Sequence, residues 1–522
     1  MALKALFRSA ARLLPKTTSI NHEGAPAYAL DARTALAQLA ATGSFGNTFY
    51  VSGEEQLTQV LAHASACEPT YVAKVAIYAR ERGHMKDMPA VLLAHLATRG
   101  PDGIAAMNAA FGRVIDNGKM LRTFVQVIRS GQLGRKSLGT APKKAVQRWL
   151  ASRSAMQLFR DSVGNDPSLA DVIKMVHPQP ASDEQRAMYG YLIGKPHDVD
   201  KLPRDVRLFE AYKRGETDGA VPKVPSRMLA GLPLGKAAWT AIAKNARWHE
   251  TRMSLNTFQR HGVFDDAAMV TMIASRLSDA SEVRAAKVFP YQLLMAWKMT
   301  AGVPALIQSA LEDAMEHAVA NVPVIDGHVV ICPDVSGSMS GWVTGYRKGA
   351  TSAVRCVDVA GLVAAALLRT NPHARVIPFE HTVKDIRLNP RDSVITIADQ
   401  LAKVGGGGTN CSAPLALLNE ERAKVDLVLY VSDNESWVDA KGRSGFGQST
   451  AMMDEWTKLR ARNPRAKLVC IDLTPNIHKQ AIDRSDILNV GGFSDAVFDV
   501  VARFVKDEGA VHWATLIDRI EL

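Results

Sequence analysis

The sequence has little cysteine and no cysteine framework. Cys67, Cys332, Cys356, Cys411 and Cys470 form no C-x-x-C pair, and no histidine stands at zinc-finger spacing. An odd, scattered count argues against a disulfide scaffold and fits a reducing compartment, so a cytoplasmic location is expected. Long apolar runs are also missing. None reaches the roughly 18 residues that a membrane helix needs, and 359–368 reads as a core helix instead. No membrane partner is expected. The first 22 residues contain no acid. Residues 1–14 place Leu3, Leu6, Phe7 and Leu14 among Lys4, Arg8 and Arg12 without an apolar stretch of signal-peptide type. Two readings stand, a mitochondrial transit peptide and a basic amphipathic helix that docks on the body or on RNA; docking is the expectation.

At 522 residues the chain exceeds one core, and 47% hydrophobic with 22% charged residues is ordinary for a soluble globular protein. The net charge of +11 is unevenly placed. Residues 1–325 carry 40 Lys and Arg against 28 Asp and Glu, while 326–522 carry 23 against 24. The whole basic excess lies in the first part, which suggests a polyanionic partner for that region.

From about residue 54 to 321 the pattern is helical. Val72, Val75, Ala76 and Ala79 form one stripe at helical spacing, and Leu121, Phe124, Val125 and Ile128 form another. Further helices are predicted at 88–98, 102–115, 142–152, 169–176, 183–192, 234–244, 267–277, 291–300 and 304–320. Residues 196–224, rich in Pro, Lys, Asp and Gly, read as a long loop. Many short helices with short connections and no strands favour an α-solenoid over a bundle. After Asp326-Gly327 the pattern alternates, with strands near Val329, Val376, Val428, Val469 and Ile487 and helices between. The expected architecture is an α-solenoid over 1–325 followed by an α/β doubly wound domain over 326–522.

The second domain carries the chain's clearest motif. The apolar run His328-Val329-Val330-Ile331-Cys332 reads as a strand, and Asp334-Val335-Ser336-Gly337-Ser338 follows it. A carboxylate and two hydroxyls at i, i+2 and i+4 on an extended segment point one way. Thr409 follows four glycines, and Asp433 ends a second apolar strand. Oxygen donors without sulfur or imidazole suit a hard divalent cation, with Mg²⁺ the expected one. The neutral ligands among them are expected to face solvent. This D-x-S-x-S, Thr, Asp order resembles the metal-ion-dependent adhesion site of von Willebrand factor A domains, with Asp334, Ser336, Ser338, Thr409 and Asp433 at the matching positions.

The helical half followed by such a domain resembles the Ro ribonucleoprotein (TROVE-module) family. Arg82-Gly83-His84-Met85-Lys86-Asp87-Met88-Pro89-Ala90, Gly134-Arg135-Lys136 running into the segment from Pro142 to Trp149, Asp171 to Pro178, and Phe289-Pro290-Tyr291-Gln292 carry the resemblance over nearly the whole chain. It implies a ring of HEAT-like helix pairs closed by the A domain. It implies no enzyme, and binding of Y-like small noncoding RNA on the ring's outer basic face. Single-stranded 3′ ends of misfolded or structured RNAs would pass through the central hole, and an exoribonuclease would be a partner. Arg160 and His177 match family positions associated with Y RNA contact, and Arg252 and Asn256 match positions near the ring interior. A further basic family position falls on Gly164, and a tryptophan-bearing loop reads Asp166-Pro167-Ser168.

The residues themselves supply a basic segment, Arg135, Lys136, Lys143, Lys144 and Arg148, able to neutralise phosphates. With Arg160 and His177 these are the candidate RNA-binding residues. Trp149, Trp239 and Trp297 fall at apolar helical positions and read as core. Two alternatives compete with RNA quality control or processing. One is a metal-dependent protein adhesion scaffold without a direct RNA role. The other is a metal-dependent hydrolase, for which Asp433-Asn434-Glu435 leaves an opening; it is disfavoured because the motif brings two acids and hydroxyls but no His or Lys as an evident general base.

Overall fold

The computed structural model describes residues 14–165, 167–216, 221–229, 231–286, 288, 290–300, 302–319, 322–343, 345–346, 354–440, 448–494, 496–506 and 512–522. The docking helix expected at 1–14, all but its last residue, lies outside them, as do Asp166 and Phe289. Among the described residues no helix is long and apolar enough to cross a membrane.

The helical half is built as the stripes require. Gly118–Arg129 is started by the Asn117 side chain, which accepts from the Met120 amide, and buries Met120, Leu121, Phe124, Val125 and Ile128. Leu169–Val176 starts at Ser168 with a reciprocal capping box to Asp171. The helices stack in two layers, each touching the helix two further along. Pro69–Glu81 packs on Gly100–Val114, which packs on Thr140–Ala151, which packs on Leu169–Val176. Asp87–Leu96 packs on Gly118–Arg129, then Ala155–Asp161, then Asp183–Ile193. That is solenoid packing. The predicted tryptophans are core or near-core: Trp149 donates to the Ile115 carbonyl at 2.6 Å, and Trp297 to Glu312 at 3.0 Å. Trp239 is buried and stacks on His261.

The long loop expected at 196–224 is corrected. It contains the helix Arg204–Lys213, which buries only Val206 and Phe209, with Phe209 edge-on to Phe159. Two anchors three apart are too sparse a stripe to show in sequence.

The described residues open with strands that the sequence reading did not contain, β1 (Ser19–Ile20) and β2 (Pro26–Ala29). The second domain holds β3 (Val329–Pro333), β4 (Arg375–Val376), β5 (Leu427–Ser432), β6 (Lys467–Asp472), β7 (His478–Lys479) and β8 (Ile487–Gly491). Five of these make one parallel sheet in the order β4-β3-β5-β6-β8. Side-chain alternation sorts its residues between two cores. Ile331, Leu429, Val469 and Ile471 join Cys356–Thr370, Val394–Leu401 and Ala496–Val505, in a core continuous with the helical half. Val330, Cys332, Val428, Tyr430 and Cys470 pack against Ala413–Glu420 and Ala451–Arg462. Helices on both faces make the sheet doubly wound.

The two parts interlock. β2 pairs antiparallel with β7, Tyr28 opposite Lys479 and Ala29 opposite His478. Trp513–Asp518, at the far end of the chain, returns to pack on Pro69–Glu81. At the other end of the solenoid, Lys298 pairs with Asp358 at 3.1 Å and Asp399 at 3.0 Å. Both ends of the helical run are therefore fastened to the A domain, which closes it into a ring.

Candidate metal centre and basic face

β3 has β4 on one side and β5 on the other, so the winding direction reverses between β3 and β5. A crevice at the carboxyl ends of strands opens at such a point. Asp334 follows β3 there, and Asp433 follows β5. One Asp334 oxygen accepts the Ser336 amide at 2.8 Å, and the other accepts the Ser432 hydroxyl at 2.6 Å. The Ser336 and Ser338 hydroxyls are 3.2 Å apart. The glycine loop that carries Thr409 is laced to this turn: Gly337 N–H donates to Gly407 O at 2.8 Å, and Gly406 N–H to Val335 O at 2.9 Å. Gly405 has φ of +90°, and a Cβ there would lie 2.3 Å from the Val335 carbonyl oxygen, so only glycine allows this approach. The structure thus brings Asp334, Ser336, Ser338 and Asp433 together at one sheet end, with the Thr409 loop against them.

The expectation that the neutral ligands Ser336, Ser338 and Thr409 face solvent is corrected. Asp334, Ser336, Ser338, Thr409 and Asp433 are all buried. The reason is the segment near residue 50. Asn47 pairs with Tyr346 through two backbone bonds, 2.7 and 3.2 Å. The half-buried Tyr50 phenol donates to Glu23 at 3.0 Å and also reaches Ser338. Burial pushes both aspartates above the usual carboxylate range. For Asp334 the neighbouring Asp433 adds to the push, and the Ser432 and Ser336 hydrogen bonds oppose it. For Asp433 the opposing bonds come from Ser338 and the Glu435 amide. The donor set is all oxygen and its carboxylates lack a cation partner among the described residues. It fits a hard divalent ion.

Sequence reasoning missed the roles and partners of several residues here. Ser432, the last residue of β5, orients Asp334. Asn434 takes a left-handed conformation, φ 60°, in which its side chain donates to Asp472 at 3.0 Å. Glu435 is fully buried and bonds to His478 and to the His22 amide. Asp433-Asn434-Glu435 is visible in the sequence as an acidic strand end. Its partners at His22 and His478 are more than 40 residues away and leave no local pattern.

The candidate RNA-binding residues divide. Arg135 is spent on the fold: its guanidinium donates to the carbonyls of Ser137 at 2.9 Å, Ala97 at 3.4 Å, and Leu138. Lys136, Lys144, Arg148, Arg160 and His177 are exposed and Lys143 is half-buried. Among the described residues, none of these six is ion-paired to an acid, although Arg148 donates to Asn108 at 2.7 Å. Arg160 lines a cleft of about 330 Å³ with Lys223 and Arg247. His177 caps Leu169–Val176 in a left-handed conformation, φ 51°. Gln147, on the same helix as Lys143 and Lys144, holds that end by donating to the Val176 carbonyl at 2.6 Å. Arg252 and Asn256 donate to the carbonyls of Gln292 and Met299, both at 3.0 Å, and so tie neighbouring helices together.

Comparison with known proteins bears on the fold. Residues 328–505 match the family described as the Ro60 vWA domain. The chain is 24% identical over 554 aligned residues to RNA-binding protein RO60 of Deinococcus radiodurans, covering 97% of this chain and 99% of that one. It is 23% identical over 257 residues to RNA-binding protein RO60 of Caenorhabditis elegans, covering 46% and 37%. The crystal structure of the Deinococcus radiodurans RO (RSR) protein superposes with a TM-score of 0.61 at 22% identity, over 92% of this chain and 100% of that one.

Proposed function

We propose that this chain, a member of the Ro ribonucleoprotein family, binds RNA through the basic surface of its helical half. The RNAs are Y-like small noncoding RNA and the single-stranded ends of misfolded or structured RNAs. The protein holds them for RNA quality control or processing and catalyses no step itself. An exoribonuclease in the cytoplasm is the partner that would receive them. One observation carries the reading: Lys136, Lys143, Lys144, Arg148, Arg160 and His177 stand within one stretch of the solenoid with no acid paired to them among the described residues. Unpaired surface cations serve little structural purpose and are free to meet phosphates.

In the A domain, Asp334, Ser336, Ser338, Thr409 and Asp433 would hold the divalent cation, Mg²⁺ by donor chemistry. The ion would supply the positive charge that two buried carboxylates lack, replacing protons held there by burial. A mobility-shift titration of the full chain with a stem-loop RNA, with and without chelator and at several salt concentrations, tests the division of labour. Binding that survives chelation and weakens steeply with salt is expected. Binding abolished by chelation, or indifferent to salt, overturns it. A second reading, protein adhesion through the A domain, is favoured by the exposed Phe49, Tyr346 and Trp437 on the loops around the centre. It predicts a divalent-dependent protein partner, and it can coexist with RNA binding.

A further inference from the structure

Beside the divalent-cation centre lies a second group with a different donor chemistry. His22, Glu435 and His478 each present one ligand atom, and these atoms lie within 4.8 Å of one another. Among the described residues no other cluster of three His, Cys, Asp or Glu side chains approaches this closely. His478 Nε2 is 2.5 Å from one Glu435 oxygen, and the other oxygen accepts the His22 backbone amide at 2.9 Å. The His22 and His478 rings meet edge to face at 4.9 Å.

The group joins three pieces of chain. Glu435 follows β5, His478 opens β7, and His22 sits in the turn between β1 and β2. That turn is held in place by Asn21, which is buried. Its side chain donates to Ser436 O at 2.7 Å and accepts the Ala25 amide at 2.8 Å. His22 is therefore delivered to Glu435 by a fixed backbone, while its exposed ring, stacked on Tyr50, can turn.

Charge makes the case for a cation. Asp334, Asp433, Glu435 and Asp472 are buried together and, among the described residues, none is paired with Lys or Arg. One divalent ion between Asp334 and Asp433 balances two of the four. Asp472 is met by Thr474 and Asn434, all neutral donors. Glu435 faces two imidazoles. Buried carboxylates are tolerated when they are paired or coordinate a metal.

We propose that His22, Glu435 and His478 form a second metal site, of nitrogen and oxygen donors, that takes Zn²⁺ or a similar borderline ion and staples the N-terminal hairpin to the A domain. Two histidines and a glutamate, with water in the fourth position, are a zinc donor set. Bonds of about 2.0–2.2 Å put tetrahedral ligands about 3.3–3.6 Å apart, so the His22 ring need move inward by no more than about 1.5 Å, and the 2.5 Å His478–Glu435 contact must open by about 1 Å. The site is independent of the RNA-binding reading, and it differs from the neighbouring centre because imidazole disfavours Mg²⁺.

The test uses the full chain, stripped with chelator and then kept in saturating Mg²⁺ so that the oxygen-only centre is filled. Zn²⁺ binding is followed by calorimetry, and Co²⁺ binding by visible absorption. One site is expected, with tetrahedral cobalt bands and slower amide exchange over residues 19–29 when metal is added. His22→Ala, a change on an exposed ring, should weaken Zn²⁺ by about fivefold or more and remove the cobalt bands. Ser336→Ala, in the neighbouring centre, should leave Zn²⁺ affinity within fivefold. Absence of Zn²⁺ binding in Mg²⁺, a loss below fivefold in His22→Ala, or a loss above fivefold in Ser336→Ala overturns the assignment. In that event His478 and Glu435 share a proton instead of a metal.

Discussion

Among its described residues the part of the chain before residue 325 buries one histidine, His95, and one cation, Arg122, and no aspartate or glutamate. The A domain buries Asp334, Asp358, Glu380, Asp433, Glu435, Asp472 and Asp486. These acids are of two kinds. Asp358 is held by Arg355 and Lys298, Glu380 by Lys384, and Asp486 by Arg460 and Arg484. The other four lie near the carboxyl ends of β3, β5 and β6 with neutral donors around them. The helical half instead keeps its excess of cations on the outside. A surface of unpaired cations meets a polyanion from solution at little desolvation cost. A nest of unpaired buried acids calls for a small, tightly fitted cation. The two halves are charged for different ligands.

The hardest blow to that contrast is removal of one buried acid. In Asp334→Ala or Asp433→Ala, Mg²⁺ affinity by calorimetry should fall by about a hundredfold or more, since a hard ion needs anionic oxygen. Stem-loop RNA affinity should change less than about threefold, because the cations proposed to meet phosphate lie on the other half. Unchanged Mg²⁺ affinity refutes the centre. An equal loss of RNA affinity refutes the separation.

Next in size is the basic face itself. Lys143→Glu/Lys144→Glu should weaken stem-loop RNA by about tenfold or more at low salt and lower the log–log salt slope by about one unit per charge removed. Arg135→Ala should behave in the opposite way. It leaves RNA affinity nearly intact and costs about 1–3 kcal/mol of stability, because three carbonyls lose their donor. Filter-binding and chemical denaturation of both variants separate a phosphate contact from a structural clamp.

Arg135 shows where sequence stops being informative. Its partners are backbone carbonyls, which carry no side-chain signature, so it read as one more cation in a basic segment. That the candidate metal residues converge was legible for the converse reason. Each follows an apolar strand or a glycine loop, and strand ends of a parallel sheet converge by construction. The helix Arg204–Lys213 was hidden by its two-residue apolar stripe. The cover over the metal centre was hidden by distance, since Asn47 pairs with Tyr346 across about three hundred residues of chain. Periodicity reports local burial, and neither a long-range pairing nor a histidine pair 456 positions apart has a local period.

Acidity sharpens the contrast further. Burial raises Asp472 to about 7, and only neutral donors oppose it. An acid whose folded value is raised above its unfolded value holds its proton more tightly in the fold. Its contribution is therefore greatest at low pH and is lost as pH rises from about 4 through about 7. Asp472→Asn removes that titration. In chelator, the stability of the variant relative to the parent should climb by on the order of 2–4 kcal/mol between those limits and flatten above them, as followed by denaturant midpoints. A difference that stays flat with pH shows that Asp472 is ionised throughout.

The smallest expected effect concerns His177, where fold and ligand compete for one residue. Its φ of 51° is left-handed, and its amide closes Leu169–Val176 by donating to Ile173 O at 3.0 Å. Alanine has the same steric objection to that conformation as histidine, so His177→Ala mixes two effects if binding falls. Glycine removes the objection. His177→Gly should leave stability equal or higher by about 0.5–1 kcal/mol, since glycine is the favoured residue at this cap. The imidazole is exposed and carries no acid partner, so its only loss is a contact with RNA. Stem-loop affinity should then fall by about two- to fivefold, the size of one weak phosphate or base contact. A stable protein with unchanged affinity makes His177 a cap alone. A stable protein with weakened affinity makes it part of the RNA surface, which no alanine variant could decide.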